Sequence, residues 1–558
     1  MPPSVLGRLL WLTCVAWAGA LGLATPQAAS GSAPDQAPGT PRPDLQLFVH
    51  SRDCVACHNQ LSTPAGEDVS IGSSWRATMM ANSARDPYWQ AAVRRETLDH
   101  PGHADAIQDE CAACHMPMAQ RIARADGRHG AVFTHLPFPG DVANQEQHLA
   151  ADGVSCTVCH QVDEESLGTS ASFNGAFVLV APTIDGIRRI VGPYAVDQGR
   201  RRIMRSVTGY EQVEAPHVGR SELCASCHTL ITQAFGPDGA VIGRLPEQMN
   251  YQEWQHSAFA REERSCQSCH MPRTEGPMRI ASVLGEARPH LARHRFIGGN
   301  SFMLRMLDRF RIELGVDAPS AELEATAAAT RRQLASETAD VEIVEAERSN
   351  AALRFEVRVR NRTGHKFPTG YPARRAWLHV AVEDALGRAV FTSGAPAPDG
   401  SIADNDADAD GTRFEMHHEE ITRPDQVQIY ESILGDPAGR PTTGLLTATA
   451  YLKDNRLLPR GFDKATAAAD IAVVGAAASD SDFVGEMDRV RYRVALPAEM
   501  GLLRVRVVLR YQPIAYRWAR NLAAYDAPEP RRFVGYFGAL ADRASEVVAT
   551  ADTVVPAP

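Results

Sequence analysis

Cys54-Val-Ala-Cys57-His58 is the stretch on which the reading turns, because the chain writes it five times. The other copies are Cys111-Ala-Ala-Cys114-His115, Cys156-Thr-Val-Cys159-His160, Cys224-Ala-Ser-Cys227-His228 and Cys266-Gln-Ser-Cys269-His270. C-x-x-C-H is the attachment motif of a c-type haem. Two thiols one helical turn apart can form thioethers to the two vinyl groups of one porphyrin, and the next residue, His, points at the iron as proximal ligand. A zinc ribbon pairs C-x-x-C units without demanding a His after each. A redox dithiol occurs once, near a βαβ pattern, and structural disulfides have no reason to repeat the His. Only Cys14 lies outside the repeats. The expectation is five covalent haem c groups, with His58, His115, His160, His228 and His270 on the irons.

Outward from the repeats, 558 residues are too many for one ordinary core, so more than one domain is expected. The net charge of −10 argues against a nucleic-acid partner, which a basic patch would mark. Lysine occurs only at Lys366, Lys453 and Lys464, which we read as coding bias towards arginine. Residues 1–29 resemble a signal peptide: Arg8, an apolar run over 9–23, then Ala24, Ala28 and Ala29. That run is short for a membrane span, and no later stretch is long and apolar enough. The mature chain is therefore expected in the periplasm or on an extracellular face, with no transmembrane segment. Residues 30–45 form a Pro-rich linker.

Low-spin irons need sixth ligands. Of the fourteen histidines outside the repeats, ten precede residue 300, where the repeats are. His148 and His217 lie a few residues ahead of Cys156 and Cys224. His290 and His294, four apart, would share a face if helical. His365 sits in Asn361-Arg-Thr-Gly364-His365-Lys366-Phe367-Pro368-Thr369-Gly370, where two glycines and a proline build a fixed loop. The candidate distal ligands are Met80, His148, His217, His294 and His365.

Trp75-Arg-Ala-Thr78-Met-Met80-Ala81 looks like the Trp-x-x-Ser-x-His-Ala element of the tetrahaem cytochromes of nitrification and the hydroxylamine oxidoreductase superfamily. Trp254-Gln-His256-Ser257-Ala-Phe259-Ala260 looks like a second copy, and DGVSCTVCH and HRFIGGN also resemble that superfamily. The resemblance covers about residues 46–310. It implies a mostly helical and irregular domain packed around haems, with a distal ligand at the element's His. Here Met80 and Phe259 take that place, and the superfamily's cross-linked tyrosine matches no residue.

Residues 301–314 and 318–337 have helical spacing and form a connector over 301–339. From 340 to 558 the pattern alternates, over 353–359, 377–382, 426–433, 489–494 and 503–509. It predicts an antiparallel β-sandwich of immunoglobulin type without cysteine. The fold class is thus multidomain: a pentahaem cytochrome domain over 46–300, the connector, then the sandwich. Asp406-Ala-Asp408-Ala-Asp410-Gly411 starts like a calcium loop but lacks the bidentate Glu, so 404–411 is read as a solvated acidic loop. Three functions remain open. They are electron carriage in a respiratory pathway, reduction of small nitrogen or sulfur compounds at one open haem, and a structural role in an extracellular electron conduit. No C-x-x-C-K variant is present, and the candidate ligands outnumber the haems, so carriage is favoured over catalysis. The expected partners are redox proteins or a quinol dehydrogenase, with the sandwich as the docking module for an oligomer or membrane complex.

Overall fold

Each C-x-x-C-H repeat opens in a short helix, and this sets both cysteines one turn apart on one face. In this computed structural model, which describes residues 47–138, 144–497 and 500–558, those helices are Ser51–Val55, Ala104–His115, Cys156–Cys159, Ser221–His228 and Cys266–His270. The expected signal peptide, Cys14 and the whole of the Pro-rich linker lie outside the described residues. Between and after the repeats run further short helices and, among the described residues, three two-stranded ribbons, one of them Leu230–Phe235 with Val241–Gln248. The helix Pro87–Asp99 starts on a sound signal. Asp86 accepts from the Tyr88 and Trp89 N–H groups, and proline takes the first turn.

The connector forms as two helices, Ser301–Arg309 and Ser320–Gln333. Beyond it, a sheet in the order Glu420–Ile421, Met487–Ala495, Ala352–Asn361, Ala339–Arg348 faces a seven-stranded sheet. The second sheet is centred on Arg375–Asp384 and Leu503–Gln512. Period-2 patterning is clean in Met487–Ala495, where Val490, Tyr492 and Val494 are buried and Arg491 and Arg493 exposed. The inward residues of both sheets, such as Val357, Val380, Val490 and Val507, share one core. Each fully buried aliphatic side chain is worth about 1.5–3 kcal/mol, so this core carries the stability of the C-terminal half.

Three features differ from expectation. Two helices, Tyr516–Asn521 and Pro528–Leu540, interrupt the strand pattern. His290 and His294 share no helix, because His290 sits at φ 60 after the strand Ala287–Pro289. Asp408 is not solvated: it is 9% exposed and its carboxylate pairs with Arg375 at 2.7 Å. Among the described residues no helix is long and apolar enough to cross a membrane.

Candidate haem centres

The histidines of four repeats are oriented in the same way. Nδ1 donates to a backbone carbonyl: His58 to Ile280 at 2.6 Å, His115 to Ser83 at 3.1 Å, His160 to Val191 at 2.6 Å and His270 to Ile297 at 2.5 Å. Fixing the proton on Nδ1 leaves Nε2 as a free lone pair, the form an imidazole needs to ligate a metal. The acceptors lie 27 to 222 residues away along the chain, so the spacing of the repeats does not point to them.

Two of these rings face a second imidazole. His160 and His294 have ring centres 6.3 Å apart and planes 21° apart. His270 and His365 have ring centres 6.3 Å apart and planes 11° apart. A first-row metal binds imidazole nitrogen at about 2 Å, and about 1 Å more separates that nitrogen from its ring centre, so two rings on one metal lie about 6 Å apart. Both spacings match that requirement. His294 and His365 also have Nδ1 committed to carbonyls, of Ala292 at 3.0 Å and Lys366 at 2.9 Å, which leaves Nε2 free. Desolvation pushes both imidazoles down to about 4, so they are neutral at pH 7. The residues at these two places fit a haem iron with two axial imidazoles.

The other candidates are placed differently. His217 is buried with Nε2 on the Val162 carbonyl at 2.8 Å. The His148 ring meets His50 edge-on, 6.2 Å away at 82°, rather than a repeat histidine. Met80 is half-buried, and its carbonyl accepts from the Val154 N–H at 3.0 Å.

The two Trp elements share a geometry that sequence reading did not foresee. The Trp75 indole donates to the Val154 carbonyl at 3.1 Å, and the Trp254 indole to the Arg264 carbonyl at 2.8 Å. Each acceptor lies two residues before a repeat, at Cys156 and Cys266 respectively. Thr78 and Ser257 each return a hydroxyl to the carbonyl of their Trp at 2.7 Å. Both elements therefore brace a C-x-x-C-H segment by its backbone.

The repeats also meet one another. The thiols of Cys54 and Cys156 lie close enough for their charges to interact, as do those of Cys114 and Cys227 and those of Cys224 and Cys266. Cys159 lies close enough to Cys227 for their charges to interact.

No family model matches this chain, and no curated protein matches it. Among solved structures, a penta-heme cytochrome c552 from Thermochromatium tepidum is similar in 91% of this chain and 100% of that one, with 16% identity and a TM-score of 0.47.

Carboxyl groups gather around the second repeat. Glu96, Glu110 and Glu247 all act electrostatically on Cys111. Burial, then Glu110 and Glu96, push Glu247 up to about 8, so it is protonated at pH 7. A second polar cluster, His417, Asp480 and Asp488, is buried inside the sandwich. His417 has both ring nitrogens occupied there: Asp480 accepts from Nε2 at 2.9 Å, while Gln428 and Asn455 donate to Nδ1 at 2.9 and 3.0 Å. It is a satisfied hydrogen-bond network rather than an open site.

Proposed function

We propose that this chain is an exported pentahaem c-type cytochrome that passes electrons along its covalently bound haems to and from redox partner proteins. The observation that carries the reading is the pair of facing imidazoles, His160 with His294 and His270 with His365, at the spacing one iron requires. In this reading Cys54, Cys57, Cys111, Cys114, Cys156, Cys159, Cys224, Cys227, Cys266 and Cys269 hold five haems, each cycling between ferric and ferrous iron by one electron. The five repeat histidines are proximal ligands, His294 and His365 are distal ligands, and Met80, His148 and His217 stay candidates for the remaining irons. The sulfur contacts support an order in which the first centre meets the third and the third meets the fourth. The second and fifth then branch from the fourth. Two axial imidazoles saturate an iron, which favours carriage over reduction of small nitrogen or sulfur compounds. The periplasmic or extracellular location, the immunoglobulin-like assignment of the sandwich and its use as a docking module belong to the same proposal.

The test is mass spectrometry and electron paramagnetic resonance on purified holoprotein. Five haem additions are expected. His294→Ala and His365→Ala should each convert one haem of the five to a high-spin ferric state while the other four stay low-spin. Fewer than five haems, or an unchanged spin state in both variants, would refute the reading.

A further inference from the structure

The loop that presents His365 belongs to the sandwich, yet it is held by a residue from the haem-bearing segment. Glu253 lies on the helix Asn250–Gln255 and is 0% exposed. Its Oε2 accepts from the backbone N–H of Lys366 at 3.1 Å and from the Thr369 hydroxyl. Its Oε1 lies 2.9 Å from Arg456 Nη1. Arg456 grips Asp454 through two hydrogen bonds of 2.8 and 2.7 Å, and Asp454 pairs with the Lys366 ammonium at 2.7 Å. Two carboxylates and two cations thus close a buried ring with no net charge. Burial alone would push Asp454 up, but Arg456 and Lys366 hold it below the usual carboxylate range.

Lys366 connects this ring to the ligand. Its N–H is taken by Glu253, and its carbonyl accepts from His365 Nδ1 at 2.9 Å, the bond that aims the imidazole. Asn361 secures the other side of the loop, donating to the carbonyls of His365 at 2.8 Å and Leu457 at 2.9 Å. Partners that orient a ligating histidine from behind set how well it binds its metal. A buried carboxylate with charge-assisted hydrogen bonds is a stiff restraint, because losing it leaves two buried cations, Arg456 and Lys366, sharing the one carboxylate of Asp454.

We propose that Glu253 is the positioning residue for the His365 ligand, fixing from one segment the N–H of the residue, Lys366, whose carbonyl aims the imidazole supplied by the other. The inference rests on the reading of His365 as sixth ligand of the fifth haem. It extends that reading, since the iron's coordination then depends on a carboxylate that touches neither iron nor haem.

The experiment uses full-length holoprotein carrying Glu253→Ala, Glu253→Gln, Thr369→Val, His365→Ala or Glu262→Gln. Glu262 pairs with Arg460 at 2.8 Å between the same two segments, but both side chains are over 40% exposed, so it controls for general loosening of the interface. Electron paramagnetic resonance reads the high-spin ferric fraction, and the ferrous spectrum reads carbon monoxide binding. Glu253→Ala is expected to open up to one haem in five. Glu253→Gln, which keeps an acceptor for Lys366 and Thr369 but not the charge, should open a smaller fraction. Thr369→Val should open part of that haem, and Glu262→Gln none. If Glu253→Ala fails to fold, Glu253→Gln and Thr369→Val decide. A fully low-spin set of Glu253 and Thr369 variants beside a high-spin His365→Ala defeats the positioning role and spares the ligand reading. A low-spin His365→Ala defeats both, and a high-spin Glu262→Gln assigns the effect to loosening.

Discussion

A histidine in this chain is placed to ligate through Nε2 when a carbonyl occupies Nδ1 and leaves Nε2 free. His294 and His365 have Nδ1 on a carbonyl one or two residues away, whereas His217, His256 and His103 spend Nε2 on the carbonyls of Val162, Asp463 and Gly239. Spacing along the sequence could nominate all of these but could not sort them, because the deciding acceptors sit up to 207 residues away. Histidines outside the haem centres have a different consequence. Desolvation, and then Arg510 and Arg506, push His379 down to about 4. Desolvation also pushes His417 down to about 4, against the pull of Asp480. In the unfolded chain both would titrate near about 6.5. Between those values the unfolded state binds more protons, so stability is present above pH 6.5 and lost as pH falls towards 4. Calorimetry of the full-length holoprotein should show a flat melting midpoint from pH 8 to 7 and a steepening fall below. His379→Asn should remove about one proton from that dependence, and an unchanged slope would show that His379 titrates normally.

Among the elements, the loop between the strands Ala352–Asn361 and Arg375–Asp384 has the largest functional consequence. Its composition points to a rigid turn, and its histidine is one of the candidate ligands named from the sequence. Its seat was not legible. Gly364 lies against Phe259, so close that a Cβ at 364 would stand 3.1 Å from that ring. Phe259 occupies the place where the resemblance puts a histidine in the second Trp element, and the loop carrying His365 packs directly onto it. Gly364→Val should push the loop off Phe259 and give a partial high-spin signal from the haem bound by His270. Adding Phe259→Ala should reduce that signal by making room. A single variant with five low-spin haems would mean that the contact yields without moving the imidazole. The helix Pro528–Leu540 was missed for a simpler reason. Proline at its first turn and the Phe533, Phe537 and Leu540 spacing mark a helix, but they follow a long run of strand-like alternation that set the expectation for the whole region.

At the scale of the molecule, the three-part division suggested by the sequence meets a shared core. The described residues belong to one compact unit. A single apolar cluster joins Ala77 and Tyr88 of the segment that carries the repeats, Phe302 and Leu323 of the connector, and Leu434, Trp518 and Phe533 of the C-terminal half. Phe533 is 0% exposed and meets Tyr88 at 5.1 Å, ring to ring. Beside them Glu529 takes two hydrogen bonds from Arg94, at 2.8 and 3.1 Å. The helix Pro528–Leu540 therefore packs on the helix Pro87–Asp99, whose Trp89 stacks on His115 at 4.4 Å. Such contacts could not be read from sequence, because they join residues more than four hundred positions apart whose separate patterns are ordinary. They predict that the haem segment and the sandwich unfold together rather than as independent domains, which a small polar interface would allow. Truncating Phe533 to Ala should cost about 3–5 kcal/mol. Thermal melts followed by haem absorbance and by the far-ultraviolet signal of the sheets should coincide in the parent protein. They should shift down together in Phe533→Ala, because the lost contact belongs to both halves. If the variant lowered only the sheet transition and left the haem transition in place, the cluster would be a local contact, and the two halves would be separately stable domains.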